Sequence, residues 1–137
     1  MAQPKITLGL VSNIWSRQMH FEKSGDIEPG HSHKFDHLTL LTNGKLQVDV
    51  DGKKTIFTSP HMIYISKSKM HELTALEDNT IAFCIHALRE YGGNGDIIDP
   101  SMVPDGVTPE NPGCAFADRF NPDNDRVIID VQSLIAP

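Results

Sequence analysis

Two dipeptides that favour positive φ, Asn43-Gly44 and Asp51-Gly52, stand on either side of Lys45-Leu46-Gln47-Val48-Asp49-Val50. Asn-Gly and Asp-Gly suit tight reversals because they tolerate the left-handed backbone that two-residue hairpin turns require. Between them, Leu46, Val48 and Val50 alternate with Gln47 and Asp49, the period of a half-buried strand. A strand framed in this way restricts the chain to β structure, with a hairpin expected at each dipeptide. Thr55-Ile56-Phe57, Met62-Ile63-Tyr64-Ile65 and Thr80-Ile81-Ala82-Phe83-Cys84-Ile85 continue the pattern. About five or six short strands in roughly sixty residues point to a sandwich or barrel. Upstream, Ile6 to Trp15 and Arg17 to Phe21 read as two further strands.

At 137 residues the chain is the size of one domain. We expect residues 1–91 to form the barrel, N-terminal strands included, and residues 92–137 to form an arm packed on the same domain. Gly92-Gly93-Asn94-Gly95 breaks any regular element, and Pro100, Pro104, Pro109, Pro112 and Pro122 prevent long helices and central strands. Arg126 to Val131 regains a strand-like apolar character and is expected to dock as a late strand or against a second subunit. Charge divides at the same place: residues 1–88 sum to zero, and residues 89–137 set nine acids against Arg89, Arg119 and Arg126, carrying the whole net charge of −6. Such a chain repels a phosphate backbone, which argues against nucleic acid as a partner. Cys84 in an apolar run and Cys114 in a Gly/Pro-rich loop read as free thiols of a reducing compartment. No stretch has the length of a membrane span, so a cytoplasmic protein without membrane contact is expected.

Seven histidines are present. His31, His33 and His37 share odd parity, so an extended strand would aim all three at one face, and His71 can join from a neighbouring strand. Neutral imidazoles ligate Zn, Fe, Ni and Cu, and several converging on one point suggest a metal site; the plain alternative is a polar surface strand. His86 either faces the barrel and orients a ligand or is buried in an ordinary hydrogen bond. His20 and His61 read as surface or loop residues. Tyr64, Phe35 and His86 are candidates for a substrate pocket, and Trp15 is a further aromatic that could line it, although aromatic residues on strands are usually core. Lys67 and Lys69 either greet an anion or keep an edge soluble.

Gly30-His31-Ser32-His33-Lys34-Phe35-Asp36-His37, with six residues between His37 and Gly44, resembles the first motif of the cupins. That motif is a histidine, one residue, a second histidine, three or four residues, a glutamate, six residues and a glycine. Met62 to His71 resembles the second motif, in which an apolar strand leads through a turn to the last metal-binding histidine. The resemblance spans Glu28 to about Asn79 and implies a single-domain all-β cupin barrel, or jelly roll, with a metal held inside by His31, His33 and His71. It departs from the family pattern twice: His37 fills the glutamate position, and Ser66 and Ser68 stand where proline and glycine are usual. His37 either coordinates or turns away to solvent or a backbone carbonyl. A site of neutral imidazoles leaves the full charge of a divalent ion in place, which favours an anionic ligand and deepens the pKa depression of bound water.

The implied cofactor is one divalent transition metal, Fe, Ni, Zn or Mn. With no phosphate loop and no nucleophile elbow in the chain, the metal would carry the chemistry. The expected activity is that of a mononuclear non-haem enzyme of dioxygenase type acting on a small anionic organic substrate. Alternatives are a non-catalytic cupin with a structural metal that binds a small molecule, and a metal-assisted isomerase, lyase or hydrolase. Apolar strands near both termini supply edges for pairing, and a homodimer is expected.

Overall fold

A computed structural model describes residues 2–11, 13–31, 37–65, 69–87 and 113–116, giving the backbone alone for His31, His37 and 113–116. Among the described residues ten strands run in chain order: β1 Lys5–Val11, β2 Ile14–Phe21, β3 Ile27–His31, β4 His37–Asn43, β5 Lys45–Val50, β6 Lys53–Thr58, β7 His61–Ile65, β8 His71–Ala75, β9 Thr80–Ala87 and β10 Gly113–Phe116. They form a six-stranded sheet in the order β10-β1-β2-β9-β4-β7 and a four-stranded sheet in the order β3-β8-β5-β6, with every pair antiparallel. The all-β reading therefore holds. Among the described residues no helix is long and apolar enough to cross a membrane.

Alternation explains how the two sheets meet. Trp15, Met19 and Phe21 of β2, Ala82 and Cys84 of β9, Leu41 of β4, and Ile63 and Ile65 of β7 are buried on one side of the large sheet. Leu46 and Val48 of β5 with Leu73 and Ala75 of β8 are buried on the facing side of the small one, and all join a single core. Burying a side chain of this size contributes about 1.5–3 kcal/mol. This two-sided core fixes the register of the strands that supply it, because a one-residue slip would turn their apolar sets outward.

Three expectations need correction. The first N-terminal strand was expected to run to Trp15, but the chain reverses between Val11 and Ile14, which pair across the β1–β2 hairpin; Ser12 and Asn13 are turn formers, and that preference ends the strand. Cys114 was expected in a loop, yet its backbone lies in β10, paired with Gly9 of β1. The expected late strand at Arg126–Val131 lies outside the described residues.

The third correction concerns the two dipeptides. Asp51 (φ 50°) and Gly52 (φ 88°) close a two-residue hairpin in which Val50 faces Lys53, as expected. Asn43-Gly44 makes no hairpin, because β4 and β5 belong to different sheets. Gly44 (φ 86°) instead turns the chain from one sheet to the other directly against Thr80. The fully buried Thr80 hydroxyl donates to the Glu77 carbonyl at 2.8 Å, and Asn43 Nδ2 donates to the Asn79 carbonyl at 2.6 Å. A Cβ on Gly44 would run into Thr80 Oγ1 and sit 2.9 Å from Thr80 Cα, whereas one on Gly52 would meet nothing within 4 Å.

Gly44→Ala and Gly52→Ala therefore separate backbone strain from steric overlap. Both force a positive φ on alanine, at about 1–3 kcal/mol, and only the first adds a clash. Urea unfolding should show Gly44→Ala destabilised by at least about 2 kcal/mol more than Gly52→Ala. Equal losses would refute a packing role for Gly44.

Candidate functional site

The register brings the candidate histidines to one end of the barrel by two routes. In the small sheet β3 carries a bulge: Glu28 pairs with Leu73, and three residues later His31 pairs with His71. The offset sets His31, rather than Gly30, level with His71, and the same row continues through Val50 to Lys53. Bulges beside functional sites re-aim positions in this way. In the large sheet Leu10, Trp15 and His86 form a row. One step beyond the Leu38–Ile85 pair, the same register sets the backbone of His37 level with His86, and His37 itself pairs with Ile65. Five residues join His31 to His37 and five join Ile65 to His71, so both rows lie at the same end.

The parity argument for His31, His33 and His37 does not survive in its original form. His31 ends a strand of the small sheet and His37 begins one of the large sheet, so no single strand carries the three. The chain passes between the sheets there, and it is that passage which brings both backbones to the barrel end. His33 and Phe35 lie outside the described residues, as do Lys67 and the serines on either side of it.

His71 is the histidine whose setting is best defined. It is buried to 2% exposure at the start of β8. Its Nδ1 lies 3.0 Å from the Lys69 carbonyl oxygen. A carbonyl only accepts, so Nδ1 carries a proton in this contact, which leaves Nε2 as the nitrogen able to ligate a metal. Metal-ligating histidines are oriented in this manner by a backbone carbonyl. The segment supplying that carbonyl is itself held. Met70 N–H donates to Asp51 Oδ1 at 3.1 Å, Asp51 N–H donates to the Met70 carbonyl at 2.9 Å, and Lys69 Nζ lies 3.6 Å from Asp51 Oδ2. Thus the Asp51-Gly52 hairpin fixes the approach to His71. Among the described residues no three His, Cys, Asp or Glu side chains are grouped to hold a metal ion.

The other candidates separate clearly. His86 has the parity of the buried Ala82 and Cys84 and is half-buried beside Trp15. Tyr64 lies between the buried Ile63 and Ile65 and is 66% exposed on the opposite face of β7, so it is not brought to the inner face that holds His71. His61 is exposed with its ring 4.8 Å from that of Phe57, and His20 bonds Asn79 Oδ1 at 3.1 Å. Trp15 is core.

Sequence reasoning missed an ion pair inside the barrel. Arg17 Nη2 donates to Glu28 Oε1 at 2.8 Å, joining β2 of one sheet to β3 of the other, with side-chain exposures of 20% and 8%. The signal was available, because Arg17 falls at the inward parity between Trp15 and Met19. Level with Arg17 across the sheet lie Cys84 and then Thr39, whose hydroxyl is 3.7 Å from the thiol. Burial pushes the Cys84 thiol up to about 11, against the smaller lowering effects of the Thr39 hydrogen bond and the Arg17 charge.

Two measurements follow from this interior. Arg17→Met leaves Glu28 unpaired and should destabilise by about 3 kcal/mol, while Arg17→Met with Glu28→Leu should return to within about 1 kcal/mol of wild type in urea unfolding. An additive double variant would show the pair to be uncoupled. Cys84 should react with iodoacetamide at pH 8 about a hundredfold more slowly in the native than in the urea-unfolded protein. Its raised native pKa contributes stability that is intact below the ordinary thiol value and is lost as pH rises through about 11.

No family model matches the sequence, and no curated protein matches it. Solved structures share the fold at low identity. A cupin-like protein of Thermotoga maritima superposes with a TM-score of 0.53 at 21% identity, over 64% of this chain and 71% of that one. An RmlC-like cupin of Shewanella frigidimarina gives 0.51 at 18%, over 65% and 88%. KdgF of a Halomonas species gives 0.52 at 18%, over 59% and 75%. Similarity at this level establishes architecture and leaves the reaction to be argued from the site.

Proposed function

We propose, from the premise that this chain folds as a cupin β-barrel, that it is a metal-dependent cupin of the mononuclear non-haem, dioxygenase type acting on a small anionic organic molecule. His31, His33 and His71 would hold one divalent ion, with His37 at the position where the cupin motif has glutamate. The observation that carries this reading is the register pairing of His31 with a buried His71 whose ring is oriented by the Lys69 carbonyl. Imidazole nitrogen suits iron, nickel and zinc better than the oxygen-preferring manganese. When bound, the ion supplies Lewis-acid chemistry and, if iron, redox chemistry.

The protein's own residues set the conditions for that chemistry. His71 would offer Nε2 to the ion, because Asp51 and Met70 fix the carbonyl that orients its ring. Arg17 neutralises Glu28, so this pair brings no net charge to the interior. An all-imidazole shell keeps the ion's charge at its full value, which is the reason for choosing an anionic substrate. The apolar side chains of both inner faces pack into one core between the sheets.

Elemental analysis after native purification should find about one transition-metal ion per chain. His71→Ala should lower metal affinity at least about a hundredfold, following loss of a directly bound nitrogen, while His61→Ala should leave it unchanged. Less than about a tenth of an equivalent, with no uptake of Fe(II), Ni(II) or Zn(II), would overturn the metal site. Oxygen uptake by the Fe(II)-loaded protein with small organic acids tests the dioxygenase assignment. Metal binding without oxygen uptake would move the protein to a binding or non-oxidative role.

A further inference from the structure

Lys53 stands against the pattern of its sheet. Directly opposed residues of an antiparallel pair project from the same side, so Phe57, Thr55 and Lys53 of β6 share the inner-facing side with their partners Leu46, Val48 and Val50 of β5. Leu46 and Val48 are core, and Val50 and Phe57 pack against it. The inner-facing set of β6 thus begins with a cation. That cation is at the histidine end of the barrel, because the row His71, Val50, Lys53 crosses three neighbouring strands. Two strand spacings, about 10 Å, separate the backbones of Lys53 and His71.

A cleft of about 220 Å³ lies between this set and β7. Val48, Val50 and Phe57 line it from the small sheet and Ile63 and Ile65 from the large one, with Lys53 at the level of His71. Among the described residues its lining holds no carboxylate. Arg17, the inner-facing cation of β2, is by contrast neutralised by Glu28. We propose that this cleft binds a small monocarboxylate with an apolar body, the carboxylate on Lys53 Nζ and the body between Val50 on one sheet and Ile63 and Ile65 on the other.

The ligand class follows from the lining. An ammonium on a flexible stem is a point charge that matches one anionic group, without the planar fork that suits phosphate. Beyond Lys53 and Thr55 the lining is aliphatic or aromatic, so the rest of the molecule is apolar. The volume of about 220 Å³ is the share of about seven waters, which suits a molecule of about eight non-hydrogen atoms such as hexanoate. That this molecule is the substrate rests on the metal-dependent reading above; that it binds does not. An exposed lysine near a strand edge also serves solubility, and Lys54 separates the two roles. It is the next residue of β6, carries the same charge and pairs with Asp49 on the outer face.

Titration of hexanoate into the isotope-labelled full chain in EDTA, followed by amide chemical shifts, tests the site without metal. The wild type should bind with a dissociation constant of about 1 mM, ordinary for about eight non-hydrogen atoms, with the largest shifts at Val50, Phe57 and Ile63. Lys53→Met should weaken binding at least about tenfold, the effect of losing one charge-assisted hydrogen bond. Lys53→Arg should restore most of it, and Lys54→Met should leave it unchanged. No response in the wild type, as when a carboxylate from residues 89–137 occupies Lys53, would overturn the proposal. So would an equal loss in Lys54→Met, or shifts confined to other strands. Hexanoate bound through Lys53 by a protein that takes up no metal would keep this site and remove the dioxygenase reading; metal uptake without hexanoate binding would do the reverse.

Discussion

The passage of the chain between two facing sheets is the constraint on which the rest of this structure depends. Among the described residues only β1–β2 and β5–β6 are local hairpins; successive strands elsewhere alternate sheets or return to a distant neighbour. Each passage must reverse direction without leaving buried backbone polar groups unpaired. At Gly44 this is achieved by close approach. The missing Cβ lets the turn press on Thr80, whose hydroxyl reaches the carbonyls of Glu77 and Lys45. At the opposite end the passages from β3 to β4 and from β7 to β8 set the histidines at the ends of their strands, where side chains from both sheets can meet.

What was legible in the sequence follows from how local its cause is. The β5–β6 hairpin was readable because Asp51-Gly52 imposes its turn through its own φ angles. Asn43-Gly44 uses the same chemistry for a different purpose, and nothing within its neighbourhood distinguishes a hairpin from a crossover; the distinction lies in Thr80, far along the chain. His71 was placed by motif resemblance, but the hydrogen bond that orients its ring involves the neighbouring carbonyl of Lys69, held in turn by Asp51, which no spacing rule contains. The bulge that sets His31 level with His71 is likewise a property of the pairing of β3 with β8 and not of either strand alone. Arg17 could have been recognised, since a charge on the buried parity of an apolar strand requires a partner. Its partner Glu28 could not have been named without the topology.

The interior combines apolar packing with a few polar groups that are satisfied in pairs. Arg17, Cys84 and Thr39 form a row across β2, β9 and β4, and Glu28 meets Arg17 from the other sheet. Paired burial of this kind is a weak source of net stability, because desolvation offsets much of the attraction. It does select one alignment of β2 against β3, two strands that share no ladder and would otherwise meet only through apolar contacts. The barrel is thus pinned across its middle at a point beneath the histidine end.

The position of β10 has a consequence for the order in which the molecule is assembled. Of the described strands β1 and β2 are synthesised before the others and can form their hairpin at once, yet β9, which joins β2 to β4, appears some sixty residues later. β10 closes the free side of β1 only after residue 116 has been made. Such long-range pairings slow folding, because the loop must close before any contact rewards it. The large sheet is therefore assembled from two outer pairs, β1–β2 and β4–β7, which β9 joins at the centre, and one side of β1 stays open to chaperones until β10 has been made.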